Sequence, residues 1–169
     1  WKPNQGCPSR DRLVLLTVPF RDFAGRPTTG ELVVAKSVAA ALARIFGEIY
    51  DSAAFRIERM ERVDKYGGSD AASMAANNTS AFNCRPVEGT TRLSAHASGL
   101  AVDINPVQNP WVKGNEVDPV AGRPFDTVPK RQAAQNRGQP GIILSGGDAV
   151  AAFKRNGWSW GGDWRSAKD

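Results

Sequence analysis

Histidine is nearly missing from this sequence of 169 residues, which contains only His96. That excludes an all-histidine metal site and a zinc finger. Any zinc site within the chain must combine His96 with carboxylates, cysteines or water. Cysteine is also scarce: Cys7 and Cys84 form no CxxC pair, so zinc-ribbon and thioredoxin-like readings fail. Only two tyrosines are available for base stacking, no block of five like charges occurs, and no nucleic-acid motif is present. No run approaches the roughly 18 apolar residues that a membrane span needs. Repeats and low-complexity tracts are absent. Residues 1–12 are polar and proline-containing, so the chain either is cytosolic or has lost a leader.

What is present is ordinary for a soluble globular chain, with 41% apolar and 23% charged residues. The balance of 22 basic and 17 acidic residues, 22 − 17 = +5, suits an anionic partner such as DNA, an anionic membrane or a cell wall. The cations are scattered, however, as on a solubilising surface. The length supports one domain over 1–169 with an irregular arm at 1–12. Cys7 and Cys84 are compatible with a disulfide or with two buried thiols, and export would favour the disulfide.

Periodicity predicts a strand at Leu13–Phe20 and a turn at Arg21–Thr29. A helix should follow, with Leu32, Ala35, Ala39, Leu42, Phe46 and Ile49 on its core face. Thr28 or Thr29 would cap it, and Glu31 would sit in its first turn. Strands are expected at Phe55–Val63, Ser80–Arg85, Ala101–Asn105 and Ile142–Leu144. Short helices are expected at Ala71–Ala76 and Asp148–Arg155. Residues 106–139 read as one long loop, with Arg123, Arg131 and Arg137 as candidate cleft cations. The fold class is α+β, a small antiparallel sheet with flanking helices and long loops.

The chemistry concentrates between Ser94 and Asn105. His96 precedes a small-residue turn containing Gly99, and Asp103 lies in the apolar stretch that follows. Such a turn brings an imidazole and a carboxylate to one point, and a carboxylate among apolar residues is costly unless paired or metal-bound. From spacing alone, a hydrogen-bonded structural histidine remains the commoner explanation.

The pattern SxHxxGxAxD, filled by Ser94, His96, Gly99, Ala101 and Asp103, resembles the zinc signature of the D-alanyl-D-alanine carboxypeptidase / L-alanyl-D-glutamate endopeptidase family. This family belongs to the lysostaphin, carboxypeptidase and hedgehog-like superfamily. Asn77–Arg85 (NNTSAFNCR), Asp103–Pro110 (DINPVQNP), Gly157–Trp164 (GWSWGGDW) and Gly30–Val34 (GELVV) resemble flanking family motifs in the same order. The resemblance implies a zinc peptidase that cleaves peptidoglycan stem peptides, most like an L-alanyl-D-glutamate endopeptidase. A D,D-carboxypeptidase and a non-catalytic cell-wall peptide-binding module are the alternatives.

Residue by residue, it implies His96 and Asp103 as zinc ligands and Arg85 as the cation on the developing oxyanion. Asp169 falls at the general base, with Asp163 a weaker candidate. The third ligand, a histidine, would come three positions after Asp169, so the C-terminal end of the domain is read as missing. Ser94, Asn83 and Trp160 are candidate substrate contacts, and at least one of Trp158, Trp160 and Trp164 should be core. The implied protein is a monomer without nucleic-acid partners or a membrane span. It acts outside the cell, at the wall or in the periplasm, after removal of a signal peptide. Export would then join Cys7 to Cys84.

Overall fold

A computed structural model describes residues 6–87 and 89–168. Its elements are mixed helices and three two-stranded sheets, two antiparallel and one parallel, an α+β arrangement. Strands β1 (Leu13–Arg21) and β2 (Pro27–Ala35) form a nine-residue antiparallel hairpin. Its loop is closed by Asp22, whose carboxylate accepts from Arg26 N (2.8 Å) and Arg26 Nε (2.7 Å). Helix α1 (Lys36–Ser52) follows without a break, and Ala53, in left-handed conformation, ends it.

The expected helix start is therefore corrected. Residues 27–35 are strand, and the helix begins at Lys36 with Ala35 as its N-cap. Leu32 and Ala35 are the first steps of the expected helical stripe. Leu32 also alternates at period two with Val34, and both are buried with Val18 and Phe20 of β1. Pairing with β1 runs along all nine residues, and β-branched Val33 and Val34 favour the strand. The rest of the stripe holds: Leu42, Phe46 and Ile49 are buried in the main core, Ala39 packs against it half-buried, and Ile45 joins them. Helix α4 (Asp148–Arg155) packs on α1, with Phe153 edge-on to Phe46 at 6.0 Å.

Beyond the hairpin, regular structure gives way. Between Phe55 and Val63 only Arg59–Met60 is strand (β3), paired in parallel with Asn78–Thr79 (β4). Helix α2 is Asp70–Ala75, with Ser69 Oγ accepting from Ala72 N at its start. Within 80–85 and 101–105 there is one isolated bridge, Ser80 to Asp103. Asn105 at φ +47° turns the chain out of the extended region before a longer ladder can form. Residues 142–144 form no strand, since Ile143 N donates to the Asn109 side chain instead.

The stretch 106–139 is not a loop. It contains a small hairpin, β5 (Trp111–Lys113) with β6 (Glu116–Asp118), a 3₁₀ segment at Val120–Phe125 and α3 (Val128–Asn136). Arg131 of α3 is buried, and burial lowers its guanidinium pKa, with Asp126 opposing. Arg123 and Arg137 remain exposed.

Candidate functional site

Four asparagines hold the irregular segment that carries the site. Asn78 accepts from Glu61 N (2.8 Å) and donates to Glu61 O and Ser73 Oγ, both at 2.9 Å. Asn105 accepts from Glu58 N (2.9 Å) and donates to Arg56 O (2.8 Å) and Gly141 O (3.1 Å). Asn77 accepts from Val107 N, and Asn109 binds Ile104 O, Gly141 O and Ile143 N. These amides satisfy backbone groups that no ladder reaches.

His96 lies inside a 3₁₀ turn, Ala95–Ser98, rather than before a turn. Ser94 Oγ caps that turn by accepting from His96 N at 3.3 Å. Gly99 ends it at φ +67°, where it accepts from Ala35 N at 3.0 Å. A Cβ on Gly99 would stand 2.6 Å from Ala35 N, so only glycine lets the turn press against the end of β2. Asp103 is fixed by reciprocal backbone bonds with Ser80, at 2.9 and 3.0 Å.

This geometry brings the two side chains together. His96 is 7% exposed, and its Nε2 stands 3.3 Å from Asp103 Oδ1. Its Nδ1 is 2.7 Å from Ala81 O. A carbonyl only accepts, so Nδ1 carries the proton. In the neutral ring, Nε2 then presents a lone pair to a carboxylate oxygen. That juxtaposition requires a shared cation, either a proton or a metal ion. Burial works against the charged imidazole, but the Asp103 charge and hydrogen bond outweigh it and push the His96 pKa up to about 9. Burial likewise favours neutral Asp103, yet His96 and then Arg85 hold its carboxyl below the usual range.

Arg85 stands near enough for its charge to act on both members of the pair. Its Nη2 meets Asp70 Oδ2 at 2.6 Å, Nη1 donates to Pro86 O at 3.4 Å, and its buried Nε has no hydrogen-bond partner. Asn83 is buried. Its Nδ2 donates to Asp70 Oδ1 at 3.1 Å, and its backbone N donates to His96 O at 3.1 Å. Asn83 and Ala81 also line a cleft of about 490 Å³, together with Leu13, Leu32, Glu61 and Arg62. Cys84, next to Arg85, is joined to Cys7 by a disulfide with Cα atoms 6.0 Å apart.

Sequence reasoning overlooked Asp70. The available signal was its isolation: it is the one carboxylate within residues 65–87, the segment that also contains Arg85.

The other described candidates make contacts of their own. Trp160 rests its ring against Gly162, where an added Cβ would fall 2.2 Å from the indole. Trp158 packs on Phe153 at 5.6 Å and joins the core, while Trp164 is exposed. No hydrogen bond or ring contact among the described residues links Trp160 to His96 or Asp103. Asp163 pairs with Lys154 at 2.6 Å. Asp169 lies outside the described residues. Among the described residues, no group of three or more His, Cys, Asp or Glu converges as a metal site. No described helix is long and apolar enough to cross a membrane.

A buried imidazole–carboxylate pair beside a guanidinium, on an α+β scaffold, suits hydrolytic chemistry at a carbonyl centre. Residues 88–169 match the family model described as D-alanyl-D-alanine carboxypeptidase, the family that the motifs of the chain resemble. The matched segment includes His96 and Asp103, while Asn83 and Arg85 precede it. The description of that model is of a carboxypeptidase acting at D-alanyl-D-alanine. No curated protein and no solved structure matches the chain.

Proposed function

We propose that this protein is a zinc-dependent peptidase of peptidoglycan stem peptides, with L-alanyl-D-glutamate endopeptidase activity. The observation that carries this reading is the His96–Asp103 pair, in which Nδ1 is committed to Ala81 O and Nε2 faces a carboxylate across 3.3 Å. Zinc-bound histidines ordinarily spend their second nitrogen on a carbonyl or carboxylate in this way. The donor set fits two of the three protein ligands that catalytic zinc takes.

His96 and Asp103 would hold the metal, which supplies Lewis-acid polarisation when bound. The Ala81 carbonyl fixes the imidazole tautomer and ring plane. Arg85 offers permanently charged donors to oxygen that gains negative charge during acyl transfer. Asn83 lines the cleft with an amide that can orient substrate, and Ser94 sets the backbone of the His96 turn. A carboxylate general base is assigned to Asp169 from the motif resemblance alone.

The test is zinc-dependent release of stem peptides from purified cell wall by the full-length protein. The mass of the product separates cleavage after L-alanine from removal of a terminal D-alanine. His96→Ala should abolish release while retaining the circular dichroism of the wild type. Unchanged release would defeat the assignment.

A second reading is a cell-wall peptide-binding module without turnover. Peptide binding that neither zinc nor a chelator alters, with no product formed, would support it over the enzyme.

A further inference from the structure

We infer that Asp70 is a positioning residue that holds Arg85 and Asn83 in one fixed arrangement beside the His96–Asp103 pair. This deepens the proposed function and rests on it. One carboxylate serves both side chains: Oδ2 binds Arg85 Nη2 at 2.6 Å, and Oδ1 accepts from Asn83 Nδ2 at 3.1 Å. The Asp70 and Arg85 side chains are 18% and 28% exposed, so water competes poorly for either.

Arginine is long, and its free rotamers would scatter the guanidinium over several ångströms. The Asp70 contact removes that freedom at the far end of the side chain, leaving its remaining Nη protons pointing in set directions. Asn83 is held twice, through its side chain by Asp70 and through its backbone N–H by His96 O. Asp70 therefore ties the cation, the cleft amide and the His96 turn into one unit. Its own position is set by the first turn of α2, which Ser69 caps through Ala72 N. A surface ion pair would have no reason to engage a buried asparagine as well.

The experiment uses Asp70→Asn and Asp70→Glu in the full-length zinc-loaded protein, with thermal unfolding to confirm that each variant folds. Asp70→Asn keeps the shape and an acceptor for Asn83 but loses the charge. It should lower kcat about 10–100-fold with KM changed less than about threefold, as a misplaced group would. Asp70→Glu should recover part of the loss. In an Arg85→Ala background, Asp70→Asn should add nothing, because its effect passes through Arg85.

A readout independent of turnover is the ¹⁵N–¹H NMR spectrum of the Arg85 guanidinium. Separate Nη signals in the wild type should merge in Asp70→Asn. Hydrolysis by Asp70→Asn at the wild-type kcat, an equal loss in the Arg85→Ala background, or unchanged Nη signals would each overturn the positioning role. Absence of hydrolysis by the wild-type protein would instead overturn the proposed function on which it rests.

Discussion

The β1–β2–α1 unit and the segment 77–109 solve the same problem by different means. In the first, regular ladders and helix bonds satisfy the backbone, and apolar burial of Val18, Leu32, Val34, Leu42 and Phe46 supplies the stabilisation. In the second, Asn77, Asn78, Asn105 and Asn109 do the work of a ladder through their side-chain amides. That contrast explains why the candidate site lies where it does. Bringing His96, Asp103 and Arg85 together requires turns at Gly99 and Asn105 that no regular element allows. The amides make such turns affordable by leaving few buried backbone groups unpaired. The hairpin is then the fixed wall against which the His96 turn rests, through Ala35 N to Gly99 O.

The comparison can be broken most severely from the apolar side. Phe46→Ala should cost about 4 kcal/mol of stability by chemical denaturation. The surviving folded molecules should keep near-normal activity, because Phe46 makes no polar contact with the His96–Asp103–Arg85 cluster. Asn105→Ala should cost about 3 kcal/mol, since Glu58 N and Arg56 O lose their partner and a left-handed residue loses its asparagine. Here activity per folded molecule should fall as well, and hydrogen exchange should quicken around Glu58 and Asp103 before it does in α1. Equal exchange in both regions would remove the distinction.

pH perturbs the site through the His96–Asp103 pair. In the metal-free protein the folded His96 pKa of about 9 lies above its ordinary 6.5. Its contribution is therefore complete below about 6.5 and lost as pH rises through about 9. The folded Asp103 pKa lies below its ordinary 3.8, so its contribution is present above that value and lost as pH falls through the folded pKa. The melting temperature in chelator should thus peak between roughly pH 4 and 6.5, and Asp103→Asn should flatten the alkaline fall. The smallest effect expected is that of Ser69→Ala, about 1 kcal/mol for the lost cap of α2. A differential melt should show it, with a modest loosening of Asp70 alongside.

The same contrast decides what the sequence discloses. Helix α4 occupies the residues its apolar pattern indicates, β1 extends one residue beyond the expected strand, and α2 begins one residue early. The core face of α1 is legible, but its start is not, because Leu32 fits the helical stripe with Ala35 and the strand alternation with Val34, and pairing with β1 decides between them. Apolar runs at 101–105 and 142–144 mimic strands, yet their neighbours are side-chain amides, which leave no periodic trace. Helix α3 hides within an apparent loop because it buries Arg131 and Ala134 instead of an apolar stripe. At the site, the motif spacing brought His96 and Asp103 to notice. Asp70 escaped, since its partnership with Arg85 is made by the fold across fifteen residues of chain.

Whether His96 and Asp103 together hold a catalytic cation is decided by zinc titration of the full-length protein by calorimetry, with Asp103→Asn and His96→Ala alongside and stem-peptide release assayed on the same samples. The expected result is one zinc per chain, a loss of affinity of at least about tenfold in each variant, and hydrolysis that appears only with bound zinc. Wild-type zinc affinity in both variants, or hydrolysis that persists in chelator, would contradict it.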